Sequence, residues 1–356
     1  MHQGQLSLRA GTGFGGRVTA ADGPLPLALT MGEPAGIGGE IDLAAWRRLS
    51  HDGPAFYLID DPVRIRHLVT MLGMPTQIEV ITRPDQAPSI FRAALPVLDI
   101  AQSVDAAPGH PSSATAKAVI DSITRAVEHV RSGEAAAVIT NPIQKSALTS
   151  AGFDFPGHTE FLAHLAGVSR PVMMLAGPDL RVVLITIHVP LRAVPDLLTV
   201  DLVVETAIIA ADDLRSQFGL AAPRLALAGL NPHAGEKGTI GTEDREVLEP
   251  AVAKLRSMGI DITGPNPADT LFHSRARARY DVALCPTHDQ ALIPLKTLAF
   301  NDGVNVTLGL PFVRTSPDHG TALDIAGTGV ARPDSLIAAL HLAAELGMRS
   351  KEGSIS

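Results

Sequence analysis

Short apolar runs alternate with amphipathic stretches along this chain, and this alternation limits the folds open to it. Strands are predicted at LALT, AFYLID, PVLDI, AAAVIT, VVLITIHV, RLALAGL and DVALCP. A helix is predicted over SSATAKAVIDSITRAVEHVRSG, where Val119, Ile123, Val127 and Val130 share one face. The pattern predicts an α/β architecture with a largely parallel or mixed sheet.

The composition agrees with buried strands covered by helices. Hydrophobic residues make up 46% of the chain but aromatic residues only 4%, so small aliphatic side chains dominate, as buried parallel sheets require. With 356 residues the chain is long enough for about two domains.

Charge, cysteine content and hydropathy exclude several classes of protein. The net charge of -8 argues against a nucleic-acid binder, which needs a basic face. The single cysteine, Cys285, excludes a disulfide framework, and its apolar strand suggests a small buried side chain rather than a nucleophile. No apolar run reaches the ~18 residues of a membrane span, and no signal peptide is recognised, so we expect a cytoplasmic protein.

Two glycine-rich motifs differ in their setting. GTGFGG, Gly11–Gly16, matches the dinucleotide fingerprint, but neither a strand precedes it nor a helix follows, so we assign it to a flexible N-terminal extension over residues 1–26. MGEPAGIGGE follows the strand LALT and precedes a helix. That loop can offer backbone N–H groups to an anion, or its glycines can simply serve a tight connection.

Histidines follow three of the predicted strands. His188 ends VVLITIHV, His233 follows RLALAGLNP, and His288 follows DVALCPT. Three neutral imidazoles converging at strand ends would form a metal site with a position open for water or substrate. Asp289 could orient one of the imidazoles. The alternative for each histidine is an ordinary hydrogen-bonded loop residue.

A second group of residues suits an anion. His158 and Thr159 stand at the predicted start of the helix EFLAHLAG, where a negative charge is favoured, although Thr159 could be an ordinary helix cap. Lys296 and Arg314 are isolated cations in a stretch that also holds Asn305. Arginine binds phosphate or carboxylate bidentately and lysine acts as a point charge, whereas surface solvation is the default for both.

A run of motifs resembles the 4-hydroxythreonine-4-phosphate dehydrogenase family. The motifs are LTMGEPAGIGGE, GHTEF, IHVPLR, GLNPHAGEKGTIGTE, GPNPADTLF, HDQALIPLK and GVNVTLGLPFVRTSPDHGTALDIAGTG. They extend in order from about Leu27 to about Leu340. The resemblance implies a two-domain fold similar to isocitrate and isopropylmalate dehydrogenases, with an interdomain cleft and a homodimer. We therefore expect a cofactor-side domain over 27–145 plus 296–350, and a metal, substrate and dimer-side domain over 146–295.

The resemblance also implies roles for individual residues. The metal ligands fall on His188, His233 and His288, at a site in the dimer interface with ligands from both chains. The substrate contacts fall on the following residues: His158, Thr159, Lys296, Asn305 and Arg314. Lys296 is the candidate for moving a proton or holding a charged oxygen. DHGTALDIAGTG is similar to the loop that binds NAD in isopropylmalate dehydrogenases, which assigns His319, Gly320 and Asp324 to NAD or NADP.

The implied reaction belongs to pyridoxine 5'-phosphate (vitamin B6) synthesis. It is the NAD-dependent, divalent-metal-dependent oxidation of 4-phosphooxy-L-threonine to 2-amino-3-oxo-4-phosphooxybutanoate, which decarboxylates to 3-amino-2-oxopropyl phosphate. The metal could be zinc, cobalt, manganese or magnesium. One alternative is a related dehydrogenase of 4-phosphoerythronate, 4-phosphothreonate or an aromatic dihydrodiol carboxylate. A second is a metal-dependent hydrolase or acyltransferase without redox chemistry.

Two positions depart from the usual motifs of this family. Thr287 stands where tyrosine is usual, directly before His288, and Asn141 stands where glycine is common. Neither change removes an expected ligand, but Thr287 could alter the shape of the region near the metal.

Overall fold

The structure is a computed structural model that describes residues 23–352. The glycine-rich motif GTGFGG and most of the extension predicted over residues 1–26 therefore lie outside the described residues. Gly23 to Pro26 lead directly into the first strand. Among the described helices, none has both the length and the apolar character needed to cross a membrane.

Strands and helices alternate through most of the described chain. The strands are β1 Leu27–Thr30, β2 Phe56–Asp60, β3 Ile78–Ile81, β4 Leu95–Asp99, β5 Val138–Thr140, β6 Val172–Ala176, β7 Arg181–Leu184, β8 Leu225–Ala228, β9 Ile262–Asn266, β10 Val282–Cys285, β11 Val304–Leu308 and β12 Arg314–Pro317. The α-helices are α1 Gly38–Leu49, α2 Pro62–Leu72, α3 Ala87–Ile90, α4 Ala116–Arg131, α5 Lys145–Ser150, α6 His158–Ala166, α7 Val194–Leu197, α8 Val200–Ser216, α9 Glu249–Ser257, α10 Ala268–Leu271, α11 Ser274–Arg277, α12 His288–Leu298 and α13 Asp334–Glu352.

All of these strands join one 12-stranded mixed sheet. Its order is β3-β4-β2-β1-β5-β12-β11-β6-β7-β10-β8-β9. The first six strands in this order, β3-β4-β2-β1-β5-β12, are mutually parallel. The last four, β7-β10-β8-β9, are also parallel to one another. Antiparallel pairings of β11 with β12 and β6, and of β6 with β7, join the two parallel parts. The predicted α/β class with a mixed sheet is therefore confirmed.

Helices cover both faces of the sheet, which explains why central strands such as β1, β8 and β10 are almost entirely apolar and are buried along their whole length. In β1, Leu27 and Leu29 pack in one buried cluster and Ala28 packs in another, because successive side chains point to opposite faces. α4 packs against β1, β2 and β5, whereas α13 lies against β12 and β11. Burial on both faces requires continuous apolar runs.

The three strands that precede the candidate metal-binding histidines end at the same edge of the sheet. β10 pairs in parallel with both β7 and β8, so the carboxyl ends of all three strands lie side by side. His188, His233 and His288 each come a few residues after one of these ends. In open α/β sheets this edge is where ligands bind.

Local structure differs from the sequence predictions at three places. The strand predicted over VVLITIHV ends at Leu184, and His188 has a φ of 42°, in the left-handed region that strands do not use. Thr159 is not a helix cap, because α6 begins at His158 with Gly157 at the cap position. Lys296 lies on α12, a helix that the apolar spacing did not reveal.

Candidate active site

His188 and His288 lie next to each other at the carboxyl edge of β7 and β10. Their ring centroids are 5.8 Å apart. Asp289 lies 2.8 Å from Nδ1 of His288, the orienting contact expected from the sequence, and it leaves Nε2 of His288 free for a ligand. The pKa of His188 is lowered by burial and by the nearby positive charges of Lys145 and His288, which favours the neutral form that binds metals.

His233 does not join this pair. It is exposed, on the turn Pro232–Gly238, and within residues 23–352 no three His, Cys, Asp or Glu side chains are close enough together to hold a metal ion. Two close imidazoles, one oriented by a carboxylate, fit two ligand positions of a divalent ion such as Zn²⁺. A single chain therefore brings together two of the three predicted ligands.

A cavity of about 780 Å³ opens beside the histidine pair. His188, Thr287, His288 and Asp269 supply polar groups to it, and the remaining lining is mostly apolar. Thr287, the residue that replaces the usual tyrosine, therefore lines the space next to His288. Such a volume matches a small-molecule site, which is mostly apolar with a few polar groups.

Arg314 is a buried cation with an unsatisfied donor. Its side chain is only 3% exposed, Nη1 donates to Thr307 Oγ1 at 2.8 Å, and Nη2 donates to Thr140 Oγ1 at 2.6 Å. The Nε atom has no partner among the described residues. Burial lowers the pKa of Arg314 to about 10, so the group stays charged at neutral pH. A buried charge whose nearest partners are neutral hydroxyls is suited to an anionic ligand.

His158 lies close to Arg314 and also has an unsatisfied nitrogen. Its Nε2 is shielded from solvent and has no partner among the described residues. Burial, followed by the charges of Arg314 and Lys145, holds the pKa of His158 well below its usual range. Asn305 Oδ1 on β11 likewise lacks a partner within residues 23–352. The side chains of Arg314 and His158, with Thr159 in the first turn of α6, could donate to phosphate or carboxylate oxygens. The Oδ1 of Asn305 is an acceptor, so it suits a donor group of a ligand, such as a hydroxyl or an ammonium.

Lys296 connects the histidine pair to the neighbouring loop. It shares an open cavity of about 530 Å³ with His288. Its Nζ lies 2.9 Å from Asp318 Oδ2, so the ammonium is already paired with a carboxylate. The side chain of Lys296 is also partly exposed to solvent. Phe300 stacks beneath it, with Nζ 5.9 Å from the ring centroid.

The segment that holds His319, Gly320 and Asp324 packs against the glycine-rich loop after β1. Ile37 N donates to Thr321 O at 3.0 Å, and the Glu40 carboxylate accepts from the backbone N–H groups of Gly327 and Gly329. His319 Nε2 has no partner among the described residues, and Asp324 is exposed. A cavity of about 620 Å³ adjoins both loops and is lined by Gly36, Glu40 and Gly327, among others.

Asn141, the second departure from the usual motifs, braces that glycine-rich loop. Its amide donates to both carboxylate oxygens of Asp42, at 2.8 and 2.9 Å, and to Thr30 O at 3.1 Å. Gly32 has a φ of 65°, and a Cβ there would lie 2.5 Å from the Cβ of Asn141. Glycine is therefore required at position 32 both for backbone conformation and for space.

Comparison with known proteins identifies the lineage of the chain. Residues 54–343 match the family described as pyridoxal phosphate biosynthetic protein PdxA. The chain belongs to the PdxA family. A relative from Methylorubrum populi named 4-hydroxythreonine-4-phosphate dehydrogenase is 63% identical over 332 residues, which cover 91% of this chain and 95% of the relative. A relative of the same name from Bradyrhizobium diazoefficiens is 54% identical over 334 residues, 90% of this chain and 96% of its own.

Solved structures place the PdxA fold in a wider group. The 4-hydroxythreonine-4-phosphate dehydrogenase of Klebsiella pneumoniae superimposes with a TM-score of 0.82 at 36% identity, over 91% of this chain and 99% of that one. A terephthalate 1,2-cis-dihydrodiol dehydrogenase from Burkholderia xenovorans gives a TM-score of 0.62 at 29% identity, over 90% and 98%. These likenesses confirm the predicted isocitrate/isopropylmalate dehydrogenase-like fold.

Sequence reasoning missed several residues that shape this PdxA site. Lys145 raises the positive potential around His158 and His188, and Thr140 and Thr307 hold Arg314 in place. Thr140 ends the predicted strand AAAVIT, so its place at a strand end was a signal that could have been used. The partners of Arg314 depend on strand order, which a single sequence does not reveal.

The lowered pKa of His158 predicts a pH dependence of stability. His158 is neutral in the folded chain, but in the unfolded chain it takes up a proton near the ordinary histidine pKa of about 6.5. Its contribution to stability is therefore complete above that pH and is lost as the pH falls below it, by up to about 1.4 kcal/mol per pH unit. Urea unfolding at pH 7.5 and pH 5.5 should show a larger loss for the wild type than for His158→Gln. Equal losses would contradict a neutral, buried His158.

Proposed function

We propose that this chain oxidises 4-phosphooxy-L-threonine with NAD or NADP as the hydride acceptor. The product, 2-amino-3-oxo-4-phosphooxybutanoate, would lose CO₂ to give 3-amino-2-oxopropyl phosphate in pyridoxine 5'-phosphate synthesis. Membership of the PdxA family, with a 63% identical relative named for this activity, is the observation that carries the proposal. The buried Arg314 and the unpartnered nitrogens of Arg314 and His158 support it, because they suit a phosphorylated, carboxylated substrate.

The candidate residues would divide between binding the polar groups of the substrate and moving a proton. Arg314, His158 and Thr159 would hold the phosphate and carboxylate oxygens, because Arg314 Nε and His158 Nε2 are buried without partners among the described residues and Thr159 lies in the first turn of α6. Asn305 would bind a donor group of the substrate through its unpartnered Oδ1. Lys296 would hold or move a proton near His288. Asp318 is its partner in the free chain and would compete with the substrate for it.

His188 and His288 would bind a divalent ion, with Asp289 keeping the ring of His288 in place. When bound, the ion would supply a positive charge that polarises the substrate hydroxyl, and NAD would accept the hydride. Imidazole ligands favour zinc or cobalt over magnesium. We propose that His233 from a second copy of the chain fills the third position, because His233 lies away from the pair in its own chain.

Exposed apolar residues beside the proposed ligands support a homodimer. Leu191 is 73% exposed three residues after His188, and Ile293 and Phe300 are 64% and 76% exposed on and just after the helix that begins at His288. Ile240 follows the turn of His233 and is also exposed. Large apolar side chains grouped at one edge mark an interaction surface. Covering this edge with a second copy would bury them and enclose the site.

Placing a charge on this edge should separate the two copies. Ile293→Asp is expected to give a monomer with normal secondary structure and with less than about a tenth of wild-type activity, because an aspartate cannot be buried unpaired in an apolar interface. Light scattering coupled to gel filtration measures the mass. Met258→Asp is the control, since Met258 is 54% exposed directly after the end of α9. A dimeric, active Ile293→Asp variant would contradict the placement of the interface.

The loop with His319, Gly320 and Asp324 is the proposed cofactor site. It would bind the nicotinamide dinucleotide together with the glycine-rich loop after β1, to which it is hydrogen bonded. On this basis we assign 27–145 plus 296–350 to a cofactor-side domain and 146–295 to a domain for the metal, substrate and dimer contact. We also propose a cytoplasmic location for this biosynthetic activity.

A related dehydrogenase activity is the second candidate. The likeness to a terephthalate dihydrodiol dehydrogenase at 29% identity shows that this fold also occurs in a protein named for an aromatic diol. A metal-dependent acyltransferase has less support, because a solved branched-chain phosphotransacylase from Enterococcus faecalis is only 13% identical to this chain, with a TM-score of 0.52, and so shares the fold alone. Arg314 favours an anionic substrate over an uncharged one.

The decisive experiment measures NADH formation by absorbance. Purified protein is mixed with NAD and 4-phosphooxy-L-threonine, before and after chelation and after metal is restored. Metal-dependent NADH formation is the expected result. If NAD binds without turnover, 4-phosphoerythronate, 4-phosphothreonate and the dihydrodiol carboxylate are tried next. If NAD fails to bind at all, the redox proposal is rejected.

A further inference from the structure

The turn that carries His233 has an unusual backbone. His233, Ala234, Gly235, Glu236 and Lys237 all have φ between 42° and 73°. Four of these five residues are not glycine, so the turn is a short left-handed segment that costs free energy at each of the four. Such strain persists only where the surrounding structure enforces it, and it occurs most often at functional sites.

A buried carboxylate lies directly beneath this turn. Asp244 is 1% exposed and begins the helical turn that continues into α9. Its Oδ1 accepts from Leu230 N at 2.8 Å, and its Oδ2 accepts from Asn231 N at 3.0 Å and from Asn231 Nδ2 at 2.9 Å. Three N–H donors therefore satisfy the charge, and all of them belong to the two residues that lead into the left-handed turn.

Close packing leaves the turn little freedom. A Cβ on Gly229 would lie 2.9 Å from both Asp244 Oδ1 and Ala234, and one on Gly241 would lie 2.6 Å from the side chain of Asn231. Asn231 Nδ2 also donates to Glu243 Oε2 at 2.8 Å. The entry to the turn is thus fixed from below by Asp244 and from the side by Glu243.

A second contact ties this turn to the helix of His288. Gln290 Nε2 donates to Gly229 O at 2.7 Å, and Gln290 Oε1 accepts from Thr287 N at 3.1 Å. The same amide group therefore fixes the residue before His288 and the start of the segment that leads to His233. Displacement of one segment is transmitted to the other.

We propose that Asp244 is the positioning residue that holds the left-handed turn and thereby sets where His233 is presented. This inference rests on the proposed function, in which His233 binds the metal. Asp244 contacts neither the metal nor the substrate, and it acts through Leu230 and Asn231. Gln290 couples the position of this turn to that of His288, because it is hydrogen bonded to both Gly229 and Thr287.

The test compares Asp244→Asn with Glu246→Gln. The first keeps the shape of the side chain but replaces an acceptor oxygen by a donor. The second removes a charge on the same helical turn, from an exposed pair with Arg245. Two measurements are made on the full chain: the rate of trypsin cleavage after the exposed Lys237, relative to other sites, and the affinity for Zn²⁺ in competition with a chromogenic chelator.

For Asp244→Asn we expect selective cleavage after Lys237 to rise at least about tenfold, and Zn²⁺ affinity to fall about 10- to 100-fold. Glu246→Gln should match the wild type in both. Unchanged cleavage would overturn the proposal, and so would faster cleavage with unchanged Zn²⁺ affinity, which would mean that the turn is held for another reason.

If Asp244→Asn does not fold, Asn231→Ala is the second variant. It removes the side-chain hydrogen bonds of Asn231, while Asp244 keeps its backbone donors, and both measurements should change in the same directions. If the wild type binds no Zn²⁺, the metal site of the proposed function is rejected, and this role of Asp244 is rejected with it. If the wild type binds Zn²⁺ and Asp244→Asn binds it equally well, only the role of Asp244 is rejected.

Discussion

A heterodimer of one His188→Ala chain and one His233→Ala chain is expected to recover about half of the wild-type activity, although each variant alone should lose at least about 100-fold. The recovery follows from the separation of His233 from the His188–His288 pair within one chain. If His233 completes the site of the other copy, one of the two sites in the heterodimer receives three intact histidines. The other site lacks both His188 and His233.

The heterodimer is obtained by co-expressing the two variants with different affinity tags and purifying over both. The matched control pairs His188→Ala with His288→Ala. Those two residues lie in one chain's pair, so both sites of that heterodimer are defective and no activity should return. Recovery in the control would mean that the pair is split between sites. No recovery in either heterodimer would mean that one chain supplies all three ligands, after movement of the turn Pro232–Gly238.

Replacing Arg314 by methionine is expected to lower kcat/KM for the phosphorylated substrate by about two to three orders of magnitude. The guanidinium is buried and charged, and its hydrogen-bond partners within residues 23–352 are Thr140 and Thr307 alone, so an anionic substrate would be its strongest partner. The same change should leave the melting temperature unchanged or raise it, because it removes an unpaired buried charge in favour of an apolar side chain. Activity and stability should therefore move in opposite directions.

Two controls separate binding from packing in this experiment. Arg314→Lys keeps a charge but loses the planar fork, so it should retain part of the activity. Arg332→Met, at an exposed arginine paired with Asp334, should have little effect on either quantity. A clear fall in melting temperature for Arg314→Met, together with unchanged kcat/KM, would assign Arg314 to the architecture of the sheet rather than to the substrate.

The sequence predicted the general architecture because that information is local. The alternation of strands and helices, the apolar face of α4 and the apolar strands depend on neighbouring residues. Parallel strands have their carboxyl ends at one edge, which is why His188 and His288 could be expected to meet. Their proximity in the structure agrees with that expectation, and metal binding by His188, His233 and His288 stays a prediction.

Other features could not be predicted because they depend on distant pairings. The antiparallel pairing of β11 with β6 and β12 is not visible in the hydropathy pattern. The position of His233 depends on a left-handed turn that is stabilised by Asp244, a residue with no motif of its own. Lys145, the first residue of α5, contributes charge near His158 because its side chain lies beside Gly157 at the start of α6.

The position of β12 between β5 and β11 has a consequence for chain synthesis. Arg314 and its partner Thr140 are 174 residues apart, so the proposed anion-binding group cannot form until the last strand has left the ribosome. Until then β5 and β6 remain sheet edges with unpaired backbone groups and apolar faces. Edges of this kind recruit other strands. A chain that stalls before β11 would therefore be prone to aggregate. The edge at β5, in the part of the chain that is made first, would stay unpaired for longest, because its partner β12 is the last strand to be made.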